Sequence, residues 1–280
     1  MKRQLFTIAL LLGGVLAFAP SNAQDFGNVF KAFSIGKKAV DANRPIPPEE
    51  EAKIGYGMAA NLLGAAPLVK DPELQRYVNR VGRWLAKHTE QPDLAWKFGV
   101  IDSPDFNAFS MPGGTILITQ GLYQRMRDES ELAGVLAHEI SHVLLKHQIK
   151  AIQSELGKEW TGELAGAAIE QHSGANSQVL NRAFSAGTEL WVRGLDKHDE
   201  FQADIHGVII AARSGYNPYG LVGVLQTIDA AQPKDGAMAL LFATHPSAGS
   251  RIEALSTKLG EQLDVYADQS HTPGRMYALK

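Results

Sequence analysis

The 280-residue chain contains no cysteine. That absence excludes disulfide staples, thiolate metal centres, a cysteine nucleophile and an N-terminal lipid-modified cysteine. Charge of either sign is in little excess, with 27 Lys+Arg against 30 Asp+Glu and a pI near 6.3. The chain therefore lacks the basic face that nucleic-acid binding requires, and no nucleic-acid partner is expected. Long apolar runs are missing beyond the first two dozen residues. Charged side chains interrupt every later stretch before the roughly 20 residues that a membrane helix needs. No unit recurs at a period of about 20–50 residues, which argues against a solenoid within the chain. Disorder is excluded as well, because 45% of the residues are hydrophobic and the net charge is low.

The first segment that is present looks like a leader. Lys2 and Arg3 precede the apolar stretch from Leu5 to Phe18, which closes on Ser21-Asn22-Ala23. This is a secretory layout with cleavage expected after Ala23, and its apolar part is too short to remain as an anchor. A soluble exported protein is expected, with no transmembrane anchor after cleavage. Residues 24–48 end in Pro45-Ile46-Pro47-Pro48 and read as an N-terminal arm or linker. Residues 49–260 form one expected catalytic domain, and 261–280 a C-terminal tail.

Within that domain the pattern predicts a helix from Glu49 to about Leu63. A second opens at Asp71-Pro72 and carries Leu74, Tyr77, Val78, Val81, Trp84 and Leu85 at helical spacing. Strands are predicted over Trp96–Ile101 and Thr115–Thr119, the latter after the turn Pro112-Gly113-Gly114. A long helical pattern follows from Gln120. The fold class is α+β and mostly helical, with a small sheet. Residues 155–187, rich in Gly, Ala and Ser, read either as a poorly packed loop or as a mobile lid over a site.

Function turns on His138-Glu139-Ile140-Ser141-His142. On a helix, residues four apart differ by about 40°, so both imidazoles share one face, about one turn apart. That geometry suits two nitrogen ligands to one zinc ion, and Glu139, about 100° from His138, reaches a water there without being a ligand. Leu132, Leu136, Ile140 and Val143 form an apolar stripe, so the helix is expected to bury one side and present His, Glu and His on the adjoining flank. A third histidine ligand six residues after His142 would need a glycine at 145 and a histidine at 148, where the chain has Leu145 and Gln148. His147 falls on the opposite face of a continuing helix. A carboxylate from a second helix remains, and the best candidate is Glu200, with Asp204 one turn on to hold a ligand imidazole by its outer N–H. Asp199 and Glu189 are the alternative ligands.

With these motifs the chain resembles the gluzincin metallopeptidase family of the CAAX prenyl proteases and the heat-shock membrane protease HtpX. The resemblance covers roughly residues 48–258. It rests on Asn107-Ala108-Phe109 with Pro112-Gly113-Gly114, on His138 to His142, on Glu200-Phe201-Gln202-Ala203-Asp204, on Gly215-Tyr216-Asn217-Pro218, and on His245-Pro246 followed by Arg251-Ile252. It implies a zincin-type domain with one zinc ion per chain, held by His138, His142 and Glu200, with Asp204 as supporting acid and Glu139 as general base. Members with membrane spans differ from this chain, which looks more like the soluble periplasmic branch without its tetratricopeptide array.

The implied activity is hydrolysis of peptide bonds in unfolded or misassembled envelope proteins in the periplasm, with outer-membrane assembly components as further partners. The alternative is a periplasmic chaperone or assembly factor that uses the same groove, with proteolysis secondary. Asn107, Ala108 and Phe109, with Thr115–Thr119, suggest an edge strand to which an extended peptide adds, or an ordinary sheet strand. His245 has three readings: oxyanion donor, latch on the zinc, or a helix-entry residue with Ser247 as cap. Arg251 is a candidate for positioning substrate or an acid, against a reading as a surface arginine.

Overall fold

The computed structural model describes residues 46–154, 194–230, 245–269 and 275–279. The leader at 1–23, most of the arm at 24–48, the stretch 155–187 and Glu189 lie outside the described residues.

Helix α1 (Pro48–Ala65) starts on a proline, with Glu49, Glu50 and Glu51 in its first turn, where the exposed N–H groups favour acids. Helix α2 (Pro72–Ala86) is capped by Asp71, whose carboxylate accepts from the N–H groups of Glu73 and Leu74 at 3.0 and 3.1 Å. Its apolar stripe is buried except for Trp84, which is 48% exposed. The Trp84 indole donates to the Ser214 carbonyl at 2.9 Å instead of entering the core.

Three short strands follow: β1 (Lys97–Ile101), β2 (Ala108–Met111) and β3 (Thr115–Thr119). The order is β1-β3-β2, with β1 parallel to β3 and β2 antiparallel to it. Pro112-Gly113-Gly114 closes the β2–β3 hairpin, and both glycines take positive φ, 81° and 96°, a region that side chains with a Cβ disfavour. Thr115–Thr119 is thus the central strand, and the edge beside the active helix is β2, whose start was legible only as Asn107-Ala108-Phe109.

Alternation along the strands divides the core in two. Phe98, Val100, Ile116 and Ile118 join α2 and the later helices in the larger core, while Ile101, Leu117, Phe109 and Met111 pack with Met58 and Ala59 of α1.

The long helical pattern after Gln120 is broken into α3 (Gln120–Arg125) and α4 (Glu129–Leu144). Asp128 stands between them in an extended conformation and accepts from the Glu131 N–H at 2.9 Å, so a new helix begins there. Every residue of α4 from Glu129 to Val143 is buried. The expectation of a helix buried on one side is therefore corrected. Small residues such as Ala133, Gly134 and Ala137 let neighbours close over the remaining faces. Those neighbours include α5 (Lys197–Arg213) and α6 (Gly220–Asp229). Helix α7 (Ala248–Leu259), capped by Ser247, leads into a 3-10 turn at Gly260–Tyr266. Near the C-terminus, the Tyr277 carbonyl accepts from the Tyr123 hydroxyl at 2.5 Å and its own hydroxyl donates to Asp71 at 2.9 Å. Met276, Tyr277 and Leu279 pack on the larger core.

Candidate active site

The site is built where α4 and α5 approach most closely. At Gly207 of α5 an added Cβ would stand 2.8 Å from the His138 N and 2.9 Å from its Cα. Only a glycine lets the two backbones lie this near. The first turn of α5 then delivers Glu200, and the next turn Asp204, to the histidines of α4.

The His138 and His142 rings meet edge to face, with centroids 4.6 Å apart and planes at 80°. Their Nε2 atoms are 3.0 Å apart. Glu200 is fully buried and stands over both, with Oε2 3.7 Å from His138 Nε2 and Oε1 3.4 Å from His142 Nε2. Behind His138, its Nδ1 lies 2.9 Å from Asp204 Oδ1. Arg251 donates to both oxygens of that aspartate, at 2.8 and 2.5 Å. Asp199 does not reach this centre and faces His147 at 3.6 Å.

The electrostatics ask for a cation. Burial raises the Glu200 carboxyl, but the His245, His142 and Arg251 charges and the His245 hydrogen bond hold it well below the usual range. Burial likewise pushes Asp204 up, while Arg251 and His138 bring it down to about 2. Burial drives His142 well below its ordinary value, opposed by Glu200 and helped by the histidines around it. His138 moves the other way: burial and Arg251 lower it, but Asp204 and Glu200 outweigh them. Glu200 and Asp204 thus stand buried among imidazoles and the Arg251 guanidinium, and a buried carboxylate needs a compensating cation. Glu200 Oε1 also has no hydrogen-bond partner despite its burial. Imidazole and carboxylate donors and an orphaned carboxylate oxygen fit a divalent metal.

Beside these donors is a cavity of about 50 Å³, lined by Glu139, His142, Glu200 and His245 and by Asn107 to Ser110 on the sheet edge. That is room for a water against Glu139. Glu139 Oε2 accepts from the Ser110 hydroxyl at 2.6 Å. His245 Nδ1 sits 2.6 Å from Glu200 Oε2, and donor atoms of His138, Glu200 and His245 all lie within 4.8 Å of one another.

Asn107 and Ala108 line the cavity, but the Asn107 side chain is turned to its own strand, where Oδ1 accepts from the Ala108 N–H at 2.9 Å. Arg251 is 5% exposed and committed to Asp204, so the surface-arginine reading is set aside.

Three residues at the site escaped the sequence reading. His147 does not continue the helix of His142. Helix α4 ends at Leu144, and Lys146 takes a left-handed turn at φ 58°, pinned by its ammonium 2.5 Å from Glu51. The chain reverses there, and residues 147–154 are helical again. His147, fully buried, puts Nδ1 2.9 Å from His142 Nδ1. Gln148 reaches Ser110 at 2.7 Å. The only available signals were a hydroxyl between Phe109 and Met111 and a second histidine near His142.

The model of Peptidase family M48 matches residues 72–259. The chain is similar to the beta-barrel assembly-enhancing protease of Escherichia coli strain K12, 28% identical over 239 residues that make up 82% of this chain and 49% of that protein. It is similar to the mitochondrial metalloendopeptidase OMA1 of Schizosaccharomyces pombe, 27% identical over 185 residues, 66% of this chain and 53% of that protein. Metalloprotease LoiP of Escherichia coli is 26% identical over 162 residues, 58% of this chain and 62% of that protein. The chain spans about half the length of the first curated relatives it matches. Among the described residues no helix is long and apolar enough to cross a membrane. Since the family model covers well over half of the sequence, and does so across the very helices that assemble the donor cluster, the chain belongs to peptidase family M48, a family of metallopeptidases.

Proposed function

We propose that the chain is a zinc-dependent endopeptidase, exported to the periplasm, that hydrolyses peptide bonds of unfolded or misassembled envelope proteins. The observation that carries this reading is the shared cavity. Glu139, the donor atoms of His142 and Glu200, and the edge strand β2 all line it, and His138 Nε2 is 3.0 Å from that of His142. His138, His142 and Glu200 would hold the metal. A bound zinc ion would acidify a water and polarise the scissile carbonyl.

The chain's own residues do the rest. Asp204 accepts the His138 Nδ1 proton at 2.9 Å, fixing the tautomer that leaves Nε2 free as a donor. Glu139, with Oε2 engaged by Ser110, keeps its other oxygen to take a proton from the attacking water and pass it to the leaving amine. An extended polypeptide adds to the outer edge of β2 by main-chain hydrogen bonds, past Asn107 and Ala108, which reads backbone more than side-chain identity and suits unfolded chains. Arg251 keeps Asp204 ionised and in place. The similarity to beta-barrel assembly-enhancing proteases favours envelope substrates and outer-membrane assembly components as partners.

His245 sits within the donor group rather than outside it, which favours a latch that closes the site at rest. Replacing it with alanine should then raise cleavage, whereas a loss would assign it to the oxyanion.

The test is zinc content and casein cleavage by the protein, with and without chelator, beside Glu139→Gln. The variant should keep its zinc and lose roughly 10²–10⁴-fold in turnover. A purified protein that binds no zinc, or a Glu139→Gln variant as fast as wild type, would overturn the reading. Suppression of aggregation without cleavage would move it to the chaperone alternative.

A further inference from the structure

We infer that Ser110 and Gln148 are positioning residues for Glu139, forming a two-step brace that fixes the orientation of the general base. The inference rests on the reading of Glu139 as base. All three side chains are buried, at 2%, 5% and 5% exposure for Ser110, Gln148 and Glu139. Ser110 lies 2.6 Å from Glu139 Oε2, and Gln148 Nε2 lies 2.7 Å from Ser110 Oγ.

The direction of the brace follows from counting protons. An ionised carboxylate only accepts, so the single hydroxyl proton of Ser110 points to Glu139. Ser110 Oγ must then accept from its other neighbour, which only the amide nitrogen of Gln148 can satisfy. The serine is left with no rotational freedom. Remove Gln148, and the hydroxyl can turn away from Glu139. Remove Ser110, and the carboxylate loses the contact that selects which oxygen faces the cavity.

Packing alone does not call for these residue types. Ser110 stands in a strand whose neighbours Phe109 and Met111 belong to the apolar core under α1, on the opposite face. Gln148 is brought in from the far side of the left-handed turn at Lys146. Two polar side chains 38 positions apart in sequence meet each other, and one of them holds an oxygen of the base. Both also line the cavity, so the brace borders the space where the water must sit. A displacement of about 1 Å at such a group costs on the order of 10²-fold in rate, and the partial release of one carboxylate should cost less.

The test measures kcat and KM on casein or an extended fluorogenic peptide, with bound zinc and thermal midpoint for each variant. Ser110→Ala should lower kcat about 10-fold with KM and zinc content within about 2-fold of wild type. Ser110→Thr, which keeps the hydroxyl, should recover to within about 3-fold. Gln148→Ala should lower kcat about 3-fold alone and by nothing further in the Ser110→Ala background, because it acts through that hydroxyl. An unchanged kcat in Ser110→Ala, an equal loss in Ser110→Thr, or full additivity of the two alanine variants overturns the brace. Glu139→Gln run alongside separates the two failures. Full activity there overturns the base assignment and the brace with it, whereas its loss beside a fully active Ser110→Ala overturns the brace alone.

Discussion

His138 and His142 stand one turn apart on the same helix, yet their outer nitrogens are held by different chemistry. His138 Nδ1 meets a carboxylate, Asp204, which two hydrogen bonds lock to the buried Arg251. His142 Nδ1 meets a second imidazole, His147, at the same 2.9 Å, and His147 Nε2 in turn lies 3.3 Å from the Gln202 side-chain oxygen. The first brace is a carboxylate on α5 locked by Arg251 of α7; the second is an imidazole just after the turn that ends α4, with the Asp199 carboxylate 3.6 Å behind it. Hydrogen bonds to an ionised partner are about twice as strong as neutral ones. The two imidazoles should therefore differ in how much they lose when their partners are removed.

The largest effect is expected at the ionic brace. Asp204→Ala removes the acceptor of His138 and leaves Arg251 buried beside Glu200 alone, 3.8 Å away. Stranding a buried charge costs about 3–5 kcal/mol, and losing an outer partner of a metal ligand costs roughly 10–100-fold in affinity. Urea unfolding and a zinc competition titration measure the two separately. Asp204→Asn keeps the volume and should restore part of the stability but little of the affinity.

Gly207→Ala comes next, because it moves the Asp204 brace and Glu200 at once. The added methyl meets the backbone of His138, which has no flexible end to give way. Overpacking of this kind costs about 1–3 kcal/mol. Since α5 must slide as it relieves the clash, Glu200 and Asp204 leave both histidines, and zinc affinity should fall with stability. Chelation then gives a second readout. A ligand at 1,000 times its Kd stabilises a protein by about 4 kcal/mol, so the gap in thermal midpoint between zinc-loaded and chelated protein should narrow in the same variant.

His147→Ala tests the weaker brace. Zinc affinity should drop by no more than about 10-fold, at the low end of the range for outer partners. His147→Gln, which can still accept from His142, should recover most of the loss. If His147→Ala proved as damaging to affinity as Asp204→Ala, the distinction between ionic and neutral support would fall.

The comparison also explains what could be read from the sequence. His138, Glu139, His142, Glu200 and Asp204 are legible because each pair lies on a regular helix, where spacing fixes direction. Asp71 and Pro112-Gly113-Gly114 are legible for a similar reason, since caps and tight turns need particular residue types locally. A helical wheel puts His147 on the wrong face because it assumes that the helix goes on past Leu144. The reversal depends on a lysine at φ 58°, where nothing in the residue type announces a left-handed turn. Ser110 and Gln148 required the register of β2 against α4, a tertiary fact. Arg251 was uncertain because its burial is decided by Asp204, 47 positions away. The two-sided burial of α4 was hidden in its alanines and glycine, which carry little apolar signal but admit close neighbours.

The smallest effect should come from an exposed ion pair on α5. Arg213 lies 3.4 Å from Glu90, and both side chains are 57% exposed. The residue types and the helix match the Asp204 brace; what differs is water. An exposed pair is screened and contributes about 0.2–1 kcal/mol, so Arg213→Ala should shift urea unfolding within that range and leave zinc affinity unchanged. A loss of affinity there would mean that the charge of α5 as a whole, and not the buried contact to His138, tunes the metal site. An unchanged affinity assigns the tuning to the two carboxylates that the fold has taken out of solvent.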